Sequence, residues 1–257
     1  MTLRLRFTAL AAALSAALMV FALPPTSHAA EFSKTQTGEI QKIVHDYLVE
    51  HPEVIEEAIQ TLQQRQQAAE DAKSRAAVQA HAKQLDSAPD HVVLGNPNGN
   101  VTFVEFFDYN CGYCKHAMGD MLTLMKSDPN LKVLLKEYPV LGEGSVEAAK
   151  VAVAVRMQAP KRYLEFHTKL LGGRGHADEA RALAVAKSMG LDMARIRKDM
   201  NSADAKKMIN TDYALGRALG LNGTPSYVIG DNVVVGAVGI DALKQKIANA
   251  RCGKNSC

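Results

Sequence analysis

The sequence predicts an α/β domain that is interrupted by a block of helices and preceded by a separate helical segment. Residues 101–138 read as strand, helix and strand, which is the order of a parallel crossover unit. Residues 145–219 place apolar side chains at helical spacing, and residues 224–239 alternate in the manner of a hairpin. The chain therefore builds part of a sheet, leaves it for a helical insertion at about residues 144–220, and returns to complete it.

The first 29 residues have the pattern of a secretory signal peptide. Arg4 and Arg6 give a positive start, an apolar run follows, and the small residues Ser27 and Ala29 suit cleavage after Ala29. A retained membrane anchor is the alternative, but the apolar run is short for a bilayer span and no stop-transfer pattern follows it. We expect an exported protein.

The segment 30–86 is predicted to be helical and to associate with other copies of itself. It is rich in Gln, Glu, Ala and Lys, and Pro52 interrupts it once. An apolar stripe at helical spacing runs from Ile40 to Leu62, but the seam beyond it is too polar to bury much area. The stripe must pack against the rest of the chain or against other copies, and we favour a homo-oligomer.

The remaining chain, residues 87–257, is expected to form one domain. "HVVLG" predicts a short strand, and "VTFVEFF" predicts a central strand that is buried on both faces. A helix over 112–126 leads to the strand "LKVLLKEYPV", and "IDALKQKIANA" predicts a closing helix after the hairpin. The formal charge of +3 and the lack of a basic run exclude a nucleic-acid partner.

Cys111 and Cys114 stand where the central strand gives way to the helix. A dithiol is redox active when one thiolate is stabilised and the second sulfur can attack the mixed disulfide. At a helix N-terminus, Cys111 faces unpaired backbone N–H groups and is accessible, whereas Cys114 lies one turn in and more buried. A zinc site needs a second ligand pair, and Cys252 and Cys257 have a different spacing at the terminus. The pattern favours a redox dithiol, with a small terminal disulfide elsewhere.

Two functions from other classes stay open. The soft thiolates of Cys111 and Cys114 suit Cu(I), so the chain is alternatively a copper-binding protein. A non-catalytic holdase that uses the N-terminal helices is the other alternative. Side chains further along the helix are more often solvated or part of the core than metal ligands. They are His116, Met118, Met121 and Met125.

In combination, these motifs resemble a known family. An exported chain with Cys-Gly-Tyr-Cys at a strand–helix junction, an inserted helical block and Thr-Pro before the last hairpin resembles the DsbA-like periplasmic thiol oxidoreductases. The resemblance covers roughly residues 90–250, and "IQKIVHDYLVEHPEVIEEAIQTLQQRQ" resembles the extra helices of the longer ScsC (suppressor of copper sensitivity C) group. It implies a thioredoxin fold, a periplasmic location, no cofactor, protein substrates with disulfides or thiols, a membrane redox partner and a trimer.

The resemblance also implies roles for individual residues. Cys111 matches the nucleophile of the family, and Cys114 matches the resolving cysteine. Pro225 matches the cis-proline that lies against the dithiol, and Thr224 before it offers its backbone to an extended substrate. Glu105 matches a buried acid that assists proton transfer at the second cysteine.

Glu105 has a physical argument of its own. A carboxyl group that points inward from an apolar strand holds its proton more tightly, so it can exchange protons near neutral pH. The alternative is a strand-end glutamate that reaches solvent. Lys136 in the neighbouring strand is a candidate partner for this carboxylate.

The sequence departs from the strong oxidases of the family at two places. They have Pro-His between the cysteines and valine before the cis-proline, whereas this chain has Gly112-Tyr113 and Thr224. A less stabilised thiolate makes the disulfide less oxidising. We therefore expect a protein disulfide isomerase or reductase, with a DsbA-type dithiol oxidase as the alternative. Gly112 and Tyr113 join Thr224 as candidate substrate-binding residues.

Overall fold

The structure is a computed structural model that describes residues 32–86 and 92–253 together with Cys257. The predicted signal peptide, residues 1–29, lies outside the described residues, and so do residues 87–91. Within the described ranges, none of the helices combines the length and the apolar character that a bilayer span requires.

The predicted N-terminal segment is helical, with one more interruption than expected. Ser33 begins the first helix with a capping box, in which its side chain accepts the N–H of Gln36 and the Gln36 side chain bonds the Ser33 N–H. Pro52 stands directly before the second helix, and a single turn at His81 separates the second helix from the third. The three helices are α1 (Lys34–Glu50), α2 (Glu53–Ala80) and α3 (Ala82–Asp86).

The described chain divides into two compact units inside α2. One unit ends at Ile59, and the other runs from Gln60 to Cys257. The second unit therefore includes the end of α2 and all of α3, where Val78 and Leu85 are buried against the sheet. This contact was not predicted, because the apolar residues there are few and widely spaced.

A mixed sheet lies at the centre of the second unit. In the described residues it has five strands in the order β1-β3-β2-β4-β5. The central strand β2 is parallel to β3, as the crossover pattern predicted, and antiparallel to β4. The strands are β1 (Val93–Gly95), β2 (Val101–Phe107), β3 (Leu131–Glu137), β4 (Ser226–Ile229) and β5 (Asn232–Val235).

The predicted helical insertion separates β3 from β4. Its first helix is rich in Ala and Val and is buried along most of its length, so the other insertion helices pack around it. The insertion consists of α5 (Glu143–Gln158), a 3₁₀ turn (Pro160–Arg162), α6 (Tyr163–Gly172), α7 (Glu179–Ser188), α8 (Met193–Asp199) and α9 (Ala203–Ala218). The helices that flank the sheet outside the insertion are α4 (Gly112–Ser127), which joins β2 to β3, and α10 (Ile240–Cys252), which follows β5.

The two faces of β2 contact different helices, because successive side chains of a strand point to opposite sides. Phe103 and Phe107 pack with α4 and α10 in the main core. Val104 and Phe106 pack with the end of α2 and with α9 in a second cluster. Glu105 therefore belongs to the α4 face of the sheet.

Candidate active site

Cys111 is the N-cap residue of α4, and Cys114 lies one turn inside the helix. The backbone of Cys111 is extended, so that its Sγ accepts the backbone N–H of Cys114 at 3.3 Å. Both residues are free thiols. The strand–helix junction thus aims the first unpaired N–H groups of the helix at the sulfur of Cys111.

The pKa values of the two thiols are shifted in opposite directions. The pKa of Cys111 is lowered to about 6, first by the hydrogen bond from the Cys114 side chain and also by backbone N–H groups, while burial opposes the shift. Burial raises the pKa of Cys114 far above its ordinary value. At neutral pH the pair therefore consists of a Cys111 thiolate and a Cys114 thiol.

Cys111 is less accessible than the sequence led us to expect. It retains 6% of its surface, whereas Cys114 is fully buried. The loop before β4 is the reason, because the carbonyl oxygen of Thr224 lies 3.1 Å from the Sγ of Cys111 and accepts the S–H of the protonated form. The reactive cysteine is therefore mostly covered in this conformation.

The Thr224–Pro225 segment is held at a fixed place beside the dithiol. The peptide bond between these residues is cis, Pro225 is buried and Thr224 is half-buried. The carbonyl of Pro225 accepts the N–H of Gly236 at 2.8 Å, which ties the segment to the chain after β5. The fold thus brings residues more than one hundred positions apart in sequence into contact.

Glu105 is buried on the α4 face of β2, with 2% of its surface exposed. Burial first, and then the negative charges of Cys111 and Asp120, raise the pKa of its carboxyl to about 8. Its Oε2 atom has no hydrogen-bond partner among the described residues. A carboxyl of this kind can take up a proton near neutral pH.

The predicted pairing of Lys136 with Glu105 is wrong. The register of β2 and β3 places Lys136 opposite Phe106, so its side chain points to the other face of the sheet. There the Nζ of Lys136 lies 3.4 Å from Oδ1 of Asp212, and both residues are buried. Glu105 has the apolar Leu135 as its register partner on β3 instead.

With this geometry in place, two family models match the chain. The DSBA-like thioredoxin domain matches residues 102–248. The chain belongs to the DsbA-like thioredoxin family. The copper resistance protein ScsC N-terminal domain matches residues 36–69. The predicted family and the predicted thioredoxin fold are confirmed.

Solved structures agree with this assignment. This DsbA-like chain is 42% identical to a thioredoxin-like oxidoreductase from Silicibacter pomeroyi DSS-3, with a TM-score of 0.64, over 66% of this chain and 97% of that one. A linker-deletion mutant of Proteus mirabilis ScsC is 28% identical, with a TM-score of 0.66, over 88% of this chain and 99% of that one. Both matches cover nearly the whole of the other protein.

Curated relatives are of two kinds. Disulfide bond formation protein D of Bacillus subtilis is 24% identical over 63% of this chain and 78% of that protein. The Na(+)/H(+) antiporter NhaA 1 of Salinispora arenicola is 26% identical over 66% of this chain. The DsbA-like chain spans only about a quarter of that antiporter's length.

Gly112 and Tyr113 form the exposed surface between the two cysteines of the DsbA-like chain. Tyr113 is 70% exposed, and a Cβ at Gly112 would meet no other atom within 4 Å. Open space therefore remains beside the sulfur for a polypeptide.

The other candidates on α4 differ in their exposure. His116 is exposed, Met121 is buried, and Met118 and Met125 are half-buried against the main core. No group of three or more His, Cys, Asp or Glu side chains suited to a metal ion occurs in the part of the chain that the structure describes. The remaining cysteines, Cys252 and Cys257, are joined in a disulfide at the end of α10.

Sequence reasoning missed two residues that fix the dithiol in place. The carboxylate of Asp108 accepts the N–H groups of Asn110 at 2.7 Å and Val140 at 2.8 Å, so it shapes the turn into α4. The Asn110 side chain exchanges two hydrogen bonds with the backbone of Ala177 in the insertion, at 2.9 and 2.7 Å. The signal was present, because Asp and Asn two positions apart often build such turns.

Proposed function

We propose that the chain is an exported, periplasmic thiol-disulfide oxidoreductase that acts on protein disulfides as an isomerase or reductase. The observation that supports it is the split in acidity between a Cys111 thiolate and a buried Cys114 thiol, with the Thr224 carbonyl 3.1 Å from the first sulfur. No cofactor is required, because the two thiols supply both electrons.

The first step is the attack of the Cys111 thiolate on a substrate disulfide. A bond forms between Cys111 and one substrate sulfur, and the other substrate sulfur leaves as a thiolate that takes up a proton from solvent. Once Cys111 is ionised, the Thr224 carbonyl no longer receives the S–H and is free to accept a substrate backbone N–H. Gly112 and Tyr113, which follow Cys111 directly, are exposed and available to the same substrate.

The mixed disulfide then has two outcomes. In isomerisation, another substrate thiolate attacks the substrate sulfur, a new substrate disulfide forms, and Cys111 returns as the thiolate without net oxidation. In reduction, Cys114 transfers its proton to the Glu105 carboxylate and attacks Cys111, which releases the substrate as a thiolate. The dithiol loses two electrons and the substrate gains them, so a redox partner, which we place in the membrane, must reduce the pair again.

The acidity of Cys111 supports isomerase or reductase activity over strong oxidation. Its pKa of about 6 lies nearer the value of about 7 in thioredoxin than the value of about 3.5 in DsbA. The hydrogen bonds that lower it come chiefly from Cys114 and the helix N-terminus, with no imidazole among them. A weaker stabilisation of the thiolate favours a less oxidising disulfide.

The N-terminal helices supply the second part of the proposal, a homotrimer. The apolar stripe predicted from the sequence is exposed along α1 and the start of α2, and Ile43 is 67% exposed. An exposed stripe of this length is unfavourable in water unless it packs against another surface. Several dithiols in one assembly raise the effective concentration of a bound substrate during repeated attack.

The experiment is a refolding assay with scrambled ribonuclease and the reduced protein, without copper. We expect recovery of ribonuclease activity and its loss in Cys111→Ser. In Cys114→Ser, substrates should accumulate as mixed disulfides wherever no second substrate thiolate displaces Cys111, because the resolving thiol is absent. No turnover combined with tight, stoichiometric Cu(I) binding would instead indicate a copper-binding protein.

A further inference from the structure

Two buried polar groups face each other beside the dithiol. Glu105 on β2 and Tyr227 on β4 are register partners in the antiparallel pair, so their side chains lie next to each other on the same face of the sheet. Tyr227 is 1% exposed, and its ring packs against Phe103 with the ring centroids 5.1 Å apart. Neither Oε2 of Glu105 nor the hydroxyl of Tyr227 has a hydrogen-bond partner among the described residues.

Unpartnered polar atoms of this kind are rare in a protein core. A buried hydroxyl or carboxyl without a partner costs roughly 1–3 kcal/mol, and such groups are usually satisfied directly or by a bridging water. Here the two groups are neighbours, and one is a donor and the other an acceptor. Each can satisfy the other, either by a small side-chain movement or through one water molecule.

The surroundings restrict which other groups can act on this pair. The titratable groups that face it all lie on α4, and they are Cys111, Cys114 and the half-buried Asp120. The neighbours given by the strand register and the ring contact are apolar, Leu135 on β3 and Phe103 on β2, and α10 adds the apolar Leu243 and Ile247 to the same core. In this set, no cation stabilises the Glu105 carboxylate, and Tyr227 offers it an O–H donor in addition to the Cys114 thiol.

We propose that the Tyr227 hydroxyl is a positioning group for proton transfer, which donates a hydrogen bond to the Glu105 carboxylate as that carboxylate removes the proton of Cys114. This assignment rests on the proposed dithiol chemistry and adds a residue to it. Burial, followed by the charge of Glu105, raises the pKa of Tyr227 well above its ordinary value, so the phenol stays protonated and acts as the donor. A donor to the ionised form of a carboxyl favours that form, and the hydroxyl therefore lowers the pKa of Glu105.

The probe that isolates this step is Ellman's reagent, an aromatic disulfide. The Cys111 thiolate attacks it, its S–S bond breaks, and the first thionitrobenzoate leaves with the electron pair. Cys114 then passes its proton to Glu105 and attacks Cys111, which releases the second thionitrobenzoate and leaves a Cys111–Cys114 disulfide. The dithiol loses two electrons and the reagent gains two. Because thionitrobenzoate is a good leaving group that needs no proton, the second phase reports the deprotonation of Cys114.

The test is the pH profile of the second phase in the full-length protein and in Tyr227→Phe, which lacks only the hydroxyl. We expect the midpoint of the profile to rise by about one pH unit, so that resolution at pH 6 is about tenfold slower, because fewer Glu105 carboxylates are ionised. The first phase should not change. In Glu105→Gln the second phase should already be slow, and adding Tyr227→Phe should slow it no further.

Tyr138→Phe is the matched control. Tyr138 is also buried, but it lies in the cluster on the opposite face of the sheet, where its hydroxyl donates to the carbonyl of Leu221 at 3.0 Å. Tyr138→Phe should lower thermal stability and leave the pH profile of the second phase unchanged. A Tyr227→Phe profile that overlays the wild type, or an equal further slowing in the Glu105→Gln background, overturns the assignment. A wild type that releases only one thionitrobenzoate overturns the dithiol mechanism itself and this assignment with it.

Discussion

The backbone N–H of Cys114 points at the Sγ of Cys111 from 3.3 Å, and the Cys114 side chain donates a second hydrogen bond to the same sulfur. One residue thus contributes both to the acidity of the nucleophile and to its later displacement. The backbone contribution survives any substitution at residue 114 that keeps the helix, whereas the side-chain contribution depends on a donor at that position.

The first prediction compares two replacements of Cys114. Cys114→Ser keeps a hydroxyl donor, and Cys114→Ala removes it. We expect the pKa of Cys111 to stay near the value of about 6 in Cys114→Ser and to rise in Cys114→Ala. The measurement is the pH dependence of alkylation by iodoacetamide, with Cys111→Ser as the blank. Equal midpoints in the two variants would contradict the role given to the Cys114 side chain.

The second prediction concerns stability and pH. Burial raises the pKa of Glu105 from its ordinary value of 4.5 to about 8 in the folded chain, so the folded state holds its proton where the unfolded state has released it. The contribution of the protonated Glu105 carboxyl to folding stability is fully present below about pH 4.5 and is lost as the pH rises through about 8. Glu105→Gln should therefore gain stability relative to the wild type between pH 5 and pH 8, on the order of a few kcal/mol.

Glu137 is the matched control for Glu105. It is also buried, and burial raises its pKa to about 8, but its Oε1 accepts the hydroxyl of Tyr163 at 2.8 Å rather than facing the dithiol. Urea unfolding of the oxidised protein should show the same pH-dependent gain for Glu137→Gln. Only Glu105→Gln should slow resolution by Cys114. A stability difference that does not change with pH would show that these carboxyls are ionised in the folded chain.

The third prediction concerns assembly. Ile43 and Tyr47 are exposed on the apolar stripe of α1, and replacing both with Glu should convert the proposed oligomer into a monomer. Gln41→Glu is the control, because it adds the same charge at an exposed polar position of the same helix. It should leave the assembly intact. Light scattering measures the oligomeric state of each variant. The monomer should react with Ellman's reagent at the wild-type rate but lose most of its isomerase activity.

Point variants are preferable to deleting the whole predicted segment. Removing residues 31–85 would also remove Val78 and Leu85, which are buried against the sheet of the second unit. Loss of activity in such a truncation would then reflect a damaged core. A wild type that scatters as a monomer, or a double Glu variant that isomerises undiminished, would contradict the assembly proposal.

The fourth prediction concerns the buried pair of Lys136 and Asp212. Asp212→Ala removes the carboxylate from beside a buried ammonium and should destabilise the fold by about 3 kcal/mol or more. The double variant Lys136→Met with Asp212→Asn removes both charges and should recover much of that loss. Chemical unfolding measures the stability of both variants. The pH dependence of Cys111 alkylation should not change, because this pair lies on the opposite face of the sheet.

Local patterns were enough to predict most of the fold. The continuous apolar run of β2 predicted a strand buried on both faces, and the order strand, helix, strand predicted its parallel pairing with β3. The position of Cys111 at the start of α4 followed from the same pattern. These features depend on residues close together in sequence.

The predictions that failed depended on packing between distant elements. Glu105 and Lys136 are separated by one register position, and that single step places them on opposite faces. The burial of Val78 and Leu85 depends on where α2 meets the sheet, and its few apolar residues gave no periodic signal.

The sequence by itself determined the chemistry of the dithiol, because a helix that begins at a cysteine aims its free N–H groups at that sulfur whatever surrounds it. Only the tertiary structure decided how accessible that sulfur is and which distant groups lie beside the dithiol. Thr224, more than one hundred residues away, covers Cys111, and Tyr227 faces Glu105 because β4 pairs with β2 in one register and no other. Strand register and loop closure depend on the whole core, and no local pattern contains them.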